Sequence, residues 1–175
     1  WIRAITGKEF ILVFGHTLFS SFIATAAAIV FGFLFAYGIN YTDMPCKRFF
    51  QVVALLPTMA PSVVTGLAFI MLFGRRGFIT WQLLHLKVAL YGPFGLWVAQ
   101  TIAFFPLAYI TISGVLKSIS PNLELAAQNL GARGWYLFRT VTLRLATPCL
   151  ASAFLLVAIN SLADFGNPML VGGNY

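Results

Sequence analysis

Charged residues along this chain are separated by long apolar windows. No Asp, Glu, Lys or Arg falls within residues 10–42, 49–74, 88–116 or 145–163. A helix rises about 1.5 Å per residue, so about 20 apolar residues cross a hydrocarbon layer roughly 30 Å thick. Each window holds one crossing, and the pattern predicts four transmembrane helices over about 17–40, 49–73, 94–116 and 146–163. Runs such as Phe22 to Phe35 do not alternate in polarity, which argues against the strands of an outer-membrane barrel. The expected fold class is all-α, a polytopic membrane helix bundle.

Within the first predicted helix, Ala24, Ala26, Ala27, Ala28 and Gly32 are small enough to admit a neighbouring helix closely. The second contains Pro57 and Pro61, each lacking a backbone donor, so a kink is expected there. A loop with Arg75 and Arg76, a short amphipathic stretch around Trp81 to Leu86 and a Tyr91-Gly92-Pro93 turn lead to the third helix, which contains Pro106. Residues 117–145 break the pattern. Lys117, Glu124, Arg133, Arg139 and Arg144 keep this stretch out of hydrocarbon, in water or at the headgroup boundary. After the fourth helix, Asp164-Phe165-Gly166-Asn167-Pro168 reads as an exit turn.

The long polar stretch has the local chemistry of a short helix. Ser120 is a suitable N-cap, Pro121 suits the first helical position and Gly131 suits the stop. Between them Leu123, Ala126, Ala127 and Leu130 share one face, while Glu124 and Gln128 share another. After the Gly131-Ala132-Arg133-Gly134 break, a second helical stretch is expected at the headgroup boundary from Trp135 to Leu145.

Composition sharpens this reading. Hydrophobic residues make up 60% of the 175 positions and charged residues 9%, which excludes an ordinary water-soluble domain. The net charge of +7 comes from bases scattered through short loops, so membrane lipid is the expected anionic partner and no nucleic acid is. Lys47, Arg48, Lys117, Arg133, Arg139 and Arg144 fall on one side, and Arg3, Lys8, Arg75, Arg76 and Lys87 on the other. Charge alone therefore does not orient the chain.

Cys46 and Cys149 form no metal or redox pattern and read as small apolar filler. His16 and His85 lack ligand-spaced partners. No metal site, no cofactor and no catalytic residue is expected. The predicted spans hold no acidic pair, and their Ser and Thr residues have no intramembrane His or Lys partner, which disfavours an intramembrane enzyme. Asp164, with Asn160 and Ser161 one turn earlier, is the acidic group at a membrane exit and the candidate for a translocation path. The chain begins at Trp1 and stops shortly after Gly172-Gly173-Asn174, so a piece of a longer protein is expected.

Leu123-Glu124-Leu125-Ala126-Ala127-Gln128-Asn129-Leu130-Gly131-Ala132, followed by Val141-Thr142-Leu143, resembles the EAA loop of binding-protein-dependent ABC importer permeases, the MetI-like group. That family's pattern is EAAxxxG, nine residues, an aliphatic, any residue, Leu and Pro. Gly131, Val141 and Leu143 keep this spacing. Leu125 stands where the pattern has Glu, with Glu124 one residue early, and Arg144 stands in place of the Pro.

The resemblance implies one partial permease domain over 1–175, lacking its last helix, with a cytoplasmic coupling loop at 117–145. It implies that Glu124, Leu125, Ala126, Ala127, Gly131, Ala132 and Arg133 engage an ATP-binding cassette subunit dimer, so that ATP is bound and hydrolysed on that partner. Further implied partners are a second permease half or subunit and a periplasmic or extracellular solute-binding protein. The implied location is the bacterial inner membrane.

The tail Ala163-Asp164-Phe165-Gly166-Asn167-Pro168 with Val171-Gly172-Gly173-Asn174 resembles the ferric iron branch. Import of another small solute (a polyamine, a phosphonate or an inorganic anion) is the alternative. Gradient-driven secondary transport stands behind it.

Overall fold

The computed structural model describes residues 8–42, 44–74, 77–83, 92–118 and 121–172, leaving aside the side chains of residues 8, 9, 81–83, 121 and 124. Ser120, Arg75, Arg76, His85, Lys87, Tyr91, Gly173 and Asn174 lie outside the described residues. So does part of the 81–86 stretch.

Among the described residues four segments are long and apolar enough to cross a membrane: Phe10–Tyr41, Ser62–Thr80, Pro93–Ser118 and Gly134–Ala163. Three long helices form the centre: α1 (Lys8–Tyr41), α4 (Pro93–Ser118) and α7 (Leu143–Ala163). Helices α1 and α4 run parallel. Near one end Trp97 Nε1 donates to Ser20 Oγ at 3.0 Å, and near the other Asn40 Nδ2 donates to Ser113 Oγ at 2.9 Å. Helix α7 runs against them, because Phe154 meets Phe22 at 5.5 Å while Phe138, just before α7, meets Phe33 at 6.1 Å.

The close approach of α1 and α4 follows from side-chain size. Ala24, Ala28, Gly32 and Ala36 recur every four residues, so they line one stripe of α1, and all are buried. A Cβ on Gly32 would stand 2.8 Å from the Cβ of Ala108, closer than packed carbon atoms tolerate. Ala26 and Ala27, equally small in sequence, lie off this stripe and are half-buried. Ile112, Leu116, Ala146, Ala153 and Val157 complete the central core. Much of the outer surface is apolar, with Phe31, Leu34, Leu155 and Ile159 exposed on α1 and α7, as suits helices whose surroundings are lipid.

Several segments differ from the sequence expectation. The single kinked helix expected at 49–73 is instead two helices, α2 (Lys47–Leu55) and α3 (Ser62–Phe73), joined by a 3-10 turn at Leu56–Met59. Ala60 and Pro61 are both extended, with ψ of 134° and 150°, so two consecutive residues leave helical geometry and the result is a break.

The separate interfacial stretch expected at Trp135–Leu145 runs directly into the last span. It comprises α6 (Gly134–Leu137), a π-helical turn at Phe138–Thr142 and then α7. No Gly or Pro interrupts residues 135–147, and the π turn absorbs the extra residue without ending the helix. The first helix also begins earlier than residue 17, at Lys8.

Candidate functional site

The antiparallel course of α7 puts two different chemistries at opposite ends of the bundle. The polar stretch between α4 and α7 occupies one end. The starts of α1 and α4 and the exit of α7 meet at the other.

At the first end lies α5 (Pro121–Asn129). Its last turn closes through three backbone bonds: Leu130 N to Ala126 O at 3.2 Å, Gly131 N to Gln128 O at 2.9 Å and Ala132 N to Ala127 O at 3.0 Å. The last two form a Schellman closure, and it places Gly131 in the left-handed region with φ of 88°. A side chain there would be conformationally strained although nothing stands within 4 Å of its Cβ position. Ala132 tucks inward, and Ala127 is half-buried. Ala126, Leu123 and Leu125 are exposed, and Leu130 is 89% exposed. Arg133 is extended and exposed just before α6. Glu124 sits on α5 by its backbone, its side chain lying outside the described set.

The face expected to be apolar is thus divided. Ala127 turns toward the chain, while Leu123, Ala126 and Leu130 present an apolar ridge to the outside.

Aromatic rings tie this end to the bundle, a feature that the sequence reading missed. Phe138 stacks on Trp135 at 5.1 Å and meets Tyr37 edge-on at 5.0 Å and Phe33 at 6.1 Å; Tyr37 in turn stacks on Tyr41 at 4.9 Å. The four-residue spacing of Phe33, Tyr37 and Tyr41 was the available signal, since it aligns three rings on one face of α1.

At the opposite end a cleft of about 370 Å³ opens between α1, α4 and the exit of α7. Thr17, Ser20, Trp97, Gln100, Ser161 and Asp164 are among its lining residues, with His16 at the wall. Ser161 and Asp164, three apart at the end of α7, both face it. Asn160 does not line it. Its Nδ2 donates to its own helix at Leu156 O, 2.8 Å away, and the residue is exposed on another face.

Asp164 also shapes the turn. Its Oδ1 accepts from Gly166 N at 3.2 Å and its Oδ2 from Asn167 Nδ2 at 2.8 Å. Instead of a simple exit turn, a short helix α8 (Gly166–Val171) follows and folds back over α3, where a Cβ on Gly166 would meet Ser62 Oγ at 2.7 Å. Among the described residues no three His, Cys, Asp or Glu side chains gather as a metal site.

Residues 28–174 match the family of binding-protein-dependent transport system inner membrane components. The chain is 33% identical over 183 residues to a putative ferric transport system permease protein, FbpB 1, of Haemophilus influenzae, covering 99% of this chain and 28% of that protein. It is 35% identical over 181 residues to the ferric transport system permease protein FbpB of Actinobacillus pleuropneumoniae, covering 98% of this chain and 26% of that protein. It is 30% identical over 173 residues to the sulfate transport system permease protein CysT of Escherichia coli, covering 98% of this chain and 62% of that protein. The chain therefore spans about a quarter of the length of the ferric permeases and under two thirds of the sulfate permease. With the helical, four-span architecture of its described residues, the chain belongs to the family of binding-protein-dependent transport system inner membrane components, as a multi-pass inner-membrane protein of the MetI-like kind.

Proposed function

We propose that this chain forms part of the translocation pathway of an ATP-driven importer, and that α5 with its Gly131 closure is the element through which a separate ATPase drives it. The observation that carries this reading is the ridge of Leu123, Ala126 and Leu130, apolar, exposed and held on a helix with a fixed stop, in a chain of this family.

In this reading the ridge lies on the cytoplasmic side and enters a groove on the ATP-binding subunit. Leu125 and Arg133, both exposed, make contacts at its edge together with Glu124. The small side chains of Ala126 and Ala127 permit close approach. Ala132 anchors the turn, and the ring cluster around Phe138 passes a push on α5 and α6 to α1. The physical basis is rigid-body transmission: packed aromatic rings shift as a unit when the element that they join moves. ATP is hydrolysed on the partner, a solute-binding protein delivers the cargo, and a second permease half or subunit completes the path.

The proposed cargo is ferric iron. Its support is the match of nearly the whole chain to two ferric permeases at 33% and 35% identity. An inorganic oxyanion is the second reading, supported by the 30% identity to a sulfate permease over almost as much of the chain.

Reconstitution of the full-length permease with its ATPase and binding protein, followed by uptake of radiolabelled ferric iron and of radiolabelled sulfate, tests both. ATP-dependent iron uptake supports the first reading. ATP-dependent sulfate uptake replaces it with the second, and uptake driven by an ion gradient without the ATPase overturns the importer assignment.

A further inference from the structure

The cleft opposite α5 contains polar atoms that the protein itself leaves unused. Gln100 is 2% exposed and Ser161 1% exposed, yet neither Gln100 Oε1 nor Ser161 Oγ has a hydrogen-bond partner. Both residues line the cleft.

The idle Ser161 hydroxyl, like that of Thr25 on α1, differs from several others in these helices. Thr101, Thr111 and Thr147 each donate to the carbonyl four residues earlier, and Ser152 to the one three residues earlier, which is how a hydroxyl in an apolar helix ordinarily satisfies itself. Ser161 makes no such bond, so its oxygen, itself almost fully covered at the cleft wall, is left without a partner. A buried polar atom without a partner is costly, and such atoms persist where water or a ligand completes them.

The charge balance of the lining selects the ligand. Among the described residues around the cleft, Asp164 is the one acidic side chain, and no Lys or Arg is present. An oxyanion would face the Asp164 carboxylate and the lone pairs of Gln100 Oε1 with no Lys or Arg among the described lining residues to compensate, His16 being the one ring there able to carry a positive charge. A cation meets acceptor oxygens from three directions, α1 contributing Thr17 and Ser21, α4 Gln100, and the end of α7 Ser161 and Asp164. Neutral oxygens and a single carboxylate suit a hard cation that keeps part of its water shell. Six waters at ~30 Å³ each occupy about 180 Å³, so a hydrated ion fits within the cleft.

The geometry points to a binding station for a hard, partly hydrated metal cation, held as cargo by Asp164, Gln100 and Ser161 at the end of the bundle remote from α5. This rests on the permease reading for the direction of travel, not for the existence of the site. It also bears on the cargo, since it favours a cation over an oxyanion.

Trp97 lines the same cleft and supplies a local reporter. The test is terbium(III), a hard oxygen-seeking ion whose luminescence is excited at short range by an indole ring. It is titrated into the full-length permease in phosphatidylcholine nanodiscs. The expected result is saturable emission that disappears in Trp97→Phe and whose half-saturation rises at least about tenfold in Asp164→Asn, because the one carboxylate is lost. Asp164→Asn also disturbs the bond to Asn167, so Gln100→Met is the second variant. It keeps the side-chain length, breaks no hydrogen bond seen at Gln100, and is expected to raise half-saturation severalfold.

Emission that survives Trp97→Phe, or that neither Asp164→Asn nor Gln100→Met weakens, overturns the station. So does quenching of Trp97 by sulfate or molybdate with no terbium signal. Nucleotide-sensitive docking of the ATPase is measured on the same nanodiscs. Docking without the terbium site removes this inference alone, and the terbium site without docking removes the importer reading alone.

Discussion

Replacing Gly131 perturbs the proposed coupling element through its backbone. With φ of 88° and nothing within 4 Å of its Cβ position, a side chain here meets no neighbour, and the cost is that of holding an L-residue in the left-handed region. That cost is about 1–2 kcal/mol, larger for a β-branched residue and smaller for Asn, which tolerates the conformation. If the closed turn is the form that docks, the apparent affinity for the ATPase falls with the fraction of chains that retain it.

One to two kcal/mol corresponds to roughly five- to thirtyfold. Gly131→Asn is expected to weaken docking least, Gly131→Ala by several-fold, and Gly131→Val most, with membrane insertion unchanged in all three. Gly131→Glu adds charge beside the apolar ridge and is expected to uncouple uptake outright. The assay titrates a fluorescently labelled ATPase onto permease nanodiscs. Equal affinities for wild type, Gly131→Ala and Gly131→Val would refute the reasoning, because they would show that the left-handed stop does not govern docking.

Gly32→Leu drives a side chain into Ala108 and the backbone at Tyr109, so α1 and α4 must separate; the expected loss is about 1–3 kcal/mol, read as earlier unfolding in a detergent titration. Phe138→Ala removes ring contacts to Trp135, Tyr37 and Phe33, each worth about 0.5–1.5 kcal/mol, and is expected to preserve ATPase docking while lowering transport per ATP hydrolysed. Asn40→Leu deletes the bond to Ser113; such interhelical bonds average about 0.6 kcal/mol, so a small stability loss in the same detergent titration and no change in docking are expected.

The helical class and the number of crossings were legible because lipid imposes a coarse rule, that charges stay out of windows long enough to span. The rule holds whatever the packing. It failed at 49–73, where two prolines marked a disturbance but could not distinguish a kink from a break. That choice depends on whether Ala60 also leaves the helix, which neighbouring elements decide. It failed again at 135–145, where polarity suggested a separate surface element although no breaker stood between it and the span.

Small residues on α1 were visible as a group. Only the partner helix α4 selects Ala24, Ala28, Gly32 and Ala36 over Ala26 and Ala27. At the cleft, Asp164 and Ser161 stood out as polar groups at a membrane exit. Gln100 did not, because its role depends on facing residues far away in sequence. Asn160 was as prominent in sequence as Ser161, yet one helical step turns it to another face.

The most direct test of the central claim is disulfide cross-linking in native membranes between Ala126→Cys, on the exposed ridge of α5, and a cysteine in the groove of the co-expressed ATPase, with the native Cys46 and Cys149 replaced by Ser and Ala. A specific cross-link whose yield changes when nucleotide is added is the predicted result. An introduced thiol that reacts freely with a soluble maleimide but never reaches a correctly expressed ATPase, with or without nucleotide, would contradict the account.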